Sequence, residues 1–166
     1  MMKNRTGFTL IEILIAVVII AILAGLVIPT ITGLGETARH ASMATTARQI
    51  RRQIEFHAAV RDVPISPEGY PDDIDPEWFS ANRLPLDVWT LGELKVQVVH
   101  GPKEANVPNH KTFKVKKNGR AAGHTAWYNA ANGSFCVLVP KRGTDQEILE
   151  TFLAVNGLTG ADLSGG

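Results

Sequence analysis

Residues 7–34 read G-F-T-L-I-E-I-L-I-A-V-V-I-I-A-I-L-A-G-L-V-I-P-T-I-T-G-L, and from Ile13 to Leu34 no side chain carries a charge. At ~1.5 Å of rise per residue, a helix of that length crosses a hydrocarbon core of ~30 Å, so the stretch reads as a membrane-spanning helix. The mean hydropathy of the chain, +0.02, and its hydrophobic fraction of 45% average this run with a polar remainder. A chain of 166 residues holds one ordinary domain plus an appendage and excludes a multi-domain enzyme. The net charge of +1, from 17 bases against 16 acids, gives no whole-chain pull toward nucleic acid or an acidic substrate. Cys136 is the single cysteine, which rules out an intramolecular disulfide and a cysteine-based zinc finger.

A short basic head, M-M-K-N-R-T-G, precedes the apolar run, as in any export signal. Two details depart from an ordinary signal peptide. Glu12 lies inside the apolar stretch, where an ionised carboxylate costs roughly 2.5–3.5 kcal/mol even on lenient insertion scales. No good small-residue cleavage site follows the run, since Thr30, Thr32 and Gly33 make a poor substitute. A cation at the same depth would solve the first problem. Cleavage between Gly7 and Phe8 would create one, the amine of Phe8, with Glu12 four residues along the same helix face; a neighbouring subunit's amine would serve equally. Charge counting does not orient the span, because Lys3 and Arg5 on one side face Arg39, Arg48, Arg51 and Arg52 on the other.

The hexapeptide Gly7-Phe8-Thr9-Leu10-Ile11-Glu12, the aliphatic run behind it and Pro29 resemble the prepilin family, the precursors of type IV pilins and of type II secretion pseudopilins. The resemblance covers about 30 residues in strong form. It implies cleavage between Gly7 and Phe8 by a membrane prepilin peptidase, N-methylation of Phe8, pairing of Glu12 with the amine of an adjacent subunit, and a helix softened at Pro29. It also orients the N-terminus toward the cytoplasm.

Past Pro29 a helical period persists. Met43, Ala47, Ile50, Ile54 and Ala58 recur at helical spacing, with Arg48, Arg51, Arg52 and Glu55 off that stripe on a solvated face. Pro29, flanked by Gly25, Gly33 and Gly35, predicts a bend or local melting of the helix there. Pro64 and Pro67 end it. A proline-punctuated acidic loop follows, with a helical turn near residues 76–81 pinned by Trp78 and Phe79. Period-two segments at Leu94–Val98, Phe113–Val115, Thr125–Asn129 and Ser134–Val139 predict three or four antiparallel strands, the last two joined at Ala130–Gly133. Thr144 and Glu147 at capping-box spacing, with Asn156-Gly157 as a stop, predict a short closing helix. The layout is α+β: a pilin-like long N-terminal helix packed on a small antiparallel sheet. Its segments are a leader at 1–7, a transmembrane and polymerisation helix at 8–34, an amphipathic continuation at 35–62 and a globular head at 63–166. Leu84-Pro85-Leu86-Asp87-Val88-Trp89 resembles the Leu-Pro-x-Asp-Pro-Trp signature of major pseudopilins, with Val88 in place of proline, and Trp127-Tyr128-Asn129 resembles a hairpin found in related heads.

Asp72, Asp73, Asp75 and Glu77 have the hard-oxygen chemistry for calcium and stand as calcium candidates, although they lack the spacing of a calcium loop and a solvated acidic loop is the commoner outcome. Lys111, Lys114, Lys116, Lys117 and Arg120 form a basic strip that could meet phosphates. Its alternation with Phe113 and Val115 reads as an ordinary solvated edge strand, so no nucleic-acid partner is expected. His40, His57, His100, His110 and His124 are scattered, and Cys136 falls in a strand with no basic neighbour in sequence, so no catalytic constellation and no cofactor are expected.

The expectation is therefore a structural subunit rather than an enzyme: a type II secretion pseudopilin, anchored in the cytoplasmic membrane with its head outside the cytoplasm. Its partners would be the prepilin peptidase, other pseudopilins or pilins, an inner-membrane assembly platform and membrane lipid. A type IV pilus major or minor pilin, or an anchored binding module for calcium or DNA, is the alternative. Removing Lys3 and Arg5 with the leader would take the side-chain charge from +1 to −1.

Overall fold

The computed structural model describes residues 9–163, and of these the side chains of residues 9–23 and 35–163. The chain divides into two compact units, Met1–Ala38 and Arg39–Gly166.

Helix α1 runs Leu10–Val60, 51 residues. Its backbone stays helical from Gly25 to Gly35, so the melting expected around Pro29 does not occur. A proline forfeits one intrahelical bond, whereas melting a turn would leave several backbone groups without their helical partners. The helix ends before the prolines, at Arg61, which takes a left-handed φ of 56° while its N–H donates to the His57 carbonyl at 2.8 Å.

Within the second unit, strands β1 (Val96–Val99), β4 (Ala126–Asn129) and β5 (Ser134–Val137) form one sheet in the order β1-β4-β5. Strands β2 (Thr112–Val115), β3 (Ala121–Ala122) and β6 (Val139–Pro140) form a second, in the order β3-β2-β6. The expected single antiparallel sheet is thus two mixed sheets. β4 and β5 are antiparallel, with Trp127 opposite Cys136, as are β2 and β3. β1 and β4 are parallel, with Val96 opposite Ala126, and β2 runs parallel to β6. The long excursion between Val99 and Ala126 supplies the crossover that a parallel pair requires.

Both faces of the first sheet are covered. Ala126, Tyr128, Phe135 and Val137 point toward Met43, Ala47, Ile50 and Ile54 of α1 in one core. The alternate residues Trp127 and Cys136 join Phe113, Val139, Ile148 and Phe152 in a second core beneath helix α2 (Asp145–Asn156). This accounts for β4 being buried at every position rather than at every other one. The α1 stripe falls where the period places it, at 0–1% exposure for Met43, Ala47, Ile50 and Ile54. Ala58 is only partly covered, and His57 takes the buried place beside it.

Helix α2 starts as its sequence requires. Thr144 Oγ1 accepts from the Glu147 N–H, the Glu147 carboxylate accepts from the Thr144 N–H at 2.7 Å, and Gly157 closes the helix at φ 62°. Two 3-10 turns, Pro76–Trp78 and Ser80–Asn82, occupy the expected place, with Phe79 buried between them.

Candidate assembly surface

The N-terminal end of α1 is built by Thr9 and Glu12. Glu12 Oε2 accepts from the Thr9 N–H at 2.8 Å and from Thr9 Oγ1 at 2.8 Å, and the Glu12 N–H donates to Thr9 Oγ1 at 3.3 Å. This is a capping box, the same device that opens α2. The signal was present in the sequence as T-x-x-E ahead of an apolar run. An acid within an apolar run reads first as a charge in need of a partner and only second as a helix cap. Glu12 is exposed, and its carboxylate holds the helix end in the isolated chain.

Behind it the large aliphatic side chains from Leu10 to Leu23 are 50–86% exposed on every side of the helix. A helix that is apolar all round needs lipid or other apolar helices around it. Among the described residues no helix is long and apolar enough to cross a membrane. The described side chains of the run close at Leu23, and the run in the sequence continues to Leu34. Gly7 and Phe8 lie outside the described residues, and Pro29 lies within α1 without a described side chain.

In the second unit the acidic turn spends its carboxylates separately. Asp73 Oδ1 accepts from the Ile74 N–H at 2.7 Å, Asp75 caps its 3-10 turn by accepting from the Glu77 N–H at 2.9 Å, Asp72 lies 3.9 Å from His100, and Glu77 is exposed. The calcium candidates are therefore not brought together, and among the described residues no three His, Cys, Asp or Glu converge on a metal position. Trp78 stacks on His57 at 4.1 Å, and the His57 ring nitrogen lies 2.7 Å from Asp62.

Arg51 corrects the reading of the α1 arginines as a solvated face. It is partly buried, and its Nε donates to the Phe135 carbonyl at 3.0 Å and its Nη1 to the Asn156 carbonyl at 2.8 Å. Desolvation lowers its pKa. It also lies beside Cys136, a basic neighbour that the sequence around the cysteine does not reveal; burial nonetheless pushes that thiol up to about 11. The thiol is an inert core group. Arg51, Tyr70, Asn106, Asn132 and Ser134 line an open cavity of about 310 Å³.

Asp87, in the Leu84–Trp89 stretch, is fully buried. Its Oδ1 accepts from the Trp89 N–H at 2.9 Å, its Oδ2 from Thr90 Oγ1 at 2.8 Å, and its own N–H donates to the Gly92 carbonyl at 2.8 Å. The carboxylate thus organises a turn that presents Trp89 to both cores, while desolvation raises its pKa. Asn129 of the Trp127-Tyr128-Asn129 hairpin is equally buried and ties down the 101–105 segment. Its Oδ1 accepts from the Gly101 N–H at 3.0 Å and its Nδ2 donates to the Pro102 carbonyl at 2.9 Å. Both side chains position backbone and leave no reactive atom toward solvent.

Comparison with known proteins bears on the N-terminal segment first. Residues 2–28 match the family described as the prokaryotic N-terminal methylation motif. Over 99 residues, 53% of this chain and 68% of the relative, the sequence is 29% identical to the type II secretion system core protein G of Vibrio cholerae serotype O1 (strain ATCC 39315 / El Tor Inaba N16961). No solved structure matches the chain.

Proposed function

We propose that this chain, which carries a prokaryotic N-terminal methylation motif, is a pseudopilin subunit of a type II secretion system. The observation that carries the reading is the junction of that motif with a helix whose aliphatic side chains are exposed all round from Leu10 to Leu23. The similarity to core protein G supports the secretion system over a pilus. On this reading a prepilin peptidase cuts between Gly7 and Phe8 and methylates the Phe8 amine. The run from Phe8 to Leu34 holds the subunit in the cytoplasmic membrane and then packs against other copies and other pseudopilins in a filament, with the head outside the cytoplasm. The role is structural and needs no catalytic group.

Glu12 has two uses in this scheme. In the single subunit its carboxylate is satisfied by Thr9. In the filament it meets the amine of an adjacent subunit at the same depth, and an unpaired charge there penalises every wrong stagger. The head fold joins a long helix to a small β layer, which supports a pilin-like architecture. Mass spectrometry of the mature N-terminus, with and without the peptidase, tests the reading: N-methyl-Phe8 is expected with it, and an intact Met1 with it would falsify the assignment.

A further inference from the structure

The charges of the second unit are sorted along the chain. From Asp62 to Asn82 there are six acids and no base, and from Ala105 to Thr144 seven bases and no acid. The fold gathers each set. Pairing of β2 with β6 donates the Lys141 N–H to the Phe113 carbonyl at 2.9 Å, which brings Lys141 and Arg142 beside Lys114. The β2–β3 turn, closed by the Lys116 N–H donating to the Arg120 carbonyl at 2.8 Å, carries Lys116, Lys117 and Arg120, all exposed. The acidic turn is anchored instead on the first sheet, at β4 and the β4–β5 turn: Ser66 Oγ donates to the Ala130 carbonyl at 2.8 Å and Tyr128 Oη to the Pro71 carbonyl at 2.7 Å. The two sets are thus separate poles, one held on each sheet. Among the described residues the ion pairs of the acidic segment go to His57, Lys103 and His100, and none goes to the basic sheet.

Resting on the assembly reading above, we infer that these poles form a heterologous contact, the acidic turn of one copy docking on the β3-β2-β6 sheet of the next. Unlike patches on one chain allow a head-to-tail contact, which builds an open filament where the rotation between copies does not close a ring. A polyanion such as nucleic acid would use the basic pole alone and leave the acidic turn without a role.

The test uses the full chain in cells that process and assemble it. A chain carrying Asp75→Cys with Lys116→Cys is expected to give a ladder of disulfide-linked multimers under mild oxidation, and either substitution alone is not. Cys136, at 1% exposure, stays silent. Reversing the basic pole (Lys114→Glu, Lys116→Glu, Lys117→Glu) or the acidic one (Asp73→Lys, Asp75→Lys, Glu77→Lys) is expected to cut filament yield about tenfold, and combining them to restore most of it. Four results overturn the proposal: no ladder while a pair placed at Ile15 and Ile19 still cross-links, each triple variant assembling like the parent, no recovery on combination, or the lysine variant losing only retention on DNA. If the unaltered chain forms no filament and neither cysteine pair cross-links, the assembly reading itself falls.

Discussion

Arg51 and Asn156 are joined twice, Nη1 to the Asn156 carbonyl at 2.8 Å and Nη2 to Asn156 Oδ1 at 3.3 Å, across a separation of 105 residues in sequence. Asn156 in turn accepts from the Val137 N–H at 2.8 Å and donates to the Val137 carbonyl at 2.9 Å, so one asparagine locks α1, β5 and the end of α2 together. Asn156 is buried and Arg51 partly so, and losing a partner there costs desolvation that is only partly recovered.

Arg51→Met is accordingly expected to destabilise the chain by about 2–3 kcal/mol, because it strands the Phe135 and Asn156 carbonyls. Arg51→Lys is expected to recover less than half, since an ammonium lacks the planar fork that reaches both. Denaturant midpoints in detergent solution check this, and a loss under about 0.5 kcal/mol for Arg51→Met would show the fork to be dispensable.

Asp87 separates hydrogen bonding from charge. Its folded pKa is raised by burial above the unfolded value, so its contribution to stability is fully present below the ordinary carboxylate pKa and is lost as pH rises through the raised one. Asp87→Asn keeps an acceptor for the Trp89 N–H and is expected to remove that pH dependence at little cost near neutrality. Asp87→Ala also removes the titration and is expected to cost about 1–3 kcal/mol at low pH, and less as pH rises through the raised pKa. Thermal melts from pH 4 to pH 8 distinguish the two, and a stability that rises with pH only when Asp87 is present would contradict the assigned sign.

Gly133 closes the β4–β5 turn at φ 73°, with the ring of Tyr70 where a Cβ would stand. Gly133→Ala is expected to lose about 1–2 kcal/mol from the left-handed backbone alone, with the Tyr70 clash added. Pairing it with Tyr70→Ala should return only the clash component, and a substitution without effect on melting would mean that the turn relaxes freely.

Thr9 and Glu12 offer a way to tell capping from charge. A glutamine at position 12 can still cap the helix but cannot form an ion pair. Glu12→Gln is expected to lower incorporation into filaments about tenfold, equivalent to ~1.4 kcal/mol, with processing at Gly7 intact. Thr9→Ala is expected to lower it less than about threefold, within the cost of a lost cap. Quantifying sheared filaments against membrane-held subunit measures both, and equal losses would assign the effect to helix capping.

Much of the head was readable from the chain. The Met43–Ile54 stripe, the Thr144 capping box and the Trp78–Phe79 pin leave a period or a spacing in the sequence, and each sits where that signal puts it. Strand direction leaves none, because a period of two is the same whichever way the partner runs; the period-two segments predict antiparallel strands, and two of the pairings run parallel. β3 is two alanines, too short and too small to register as a strand. Arg51 escaped because its partners lie 84 and 105 residues away, and a helical position one step off an apolar stripe looks solvated until something packs over it. At the N-terminus the Gly7–Glu12 motif was legible in full, yet its second meaning as a capping box emerged only with the Thr9 contacts.

The bare aliphatic helix from Leu10 to Leu23 also constrains thermodynamics. Acyl chains and neighbouring helices solvate leucine and isoleucine almost equally well, so on the assembly reading proposed above a move from bilayer to filament gains little from the hydrophobic effect. The aliphatic surface then contributes nearly equally to the two states that the assembly reading proposes. On that reading the polar contacts, rather than apolar burial, decide between the two states.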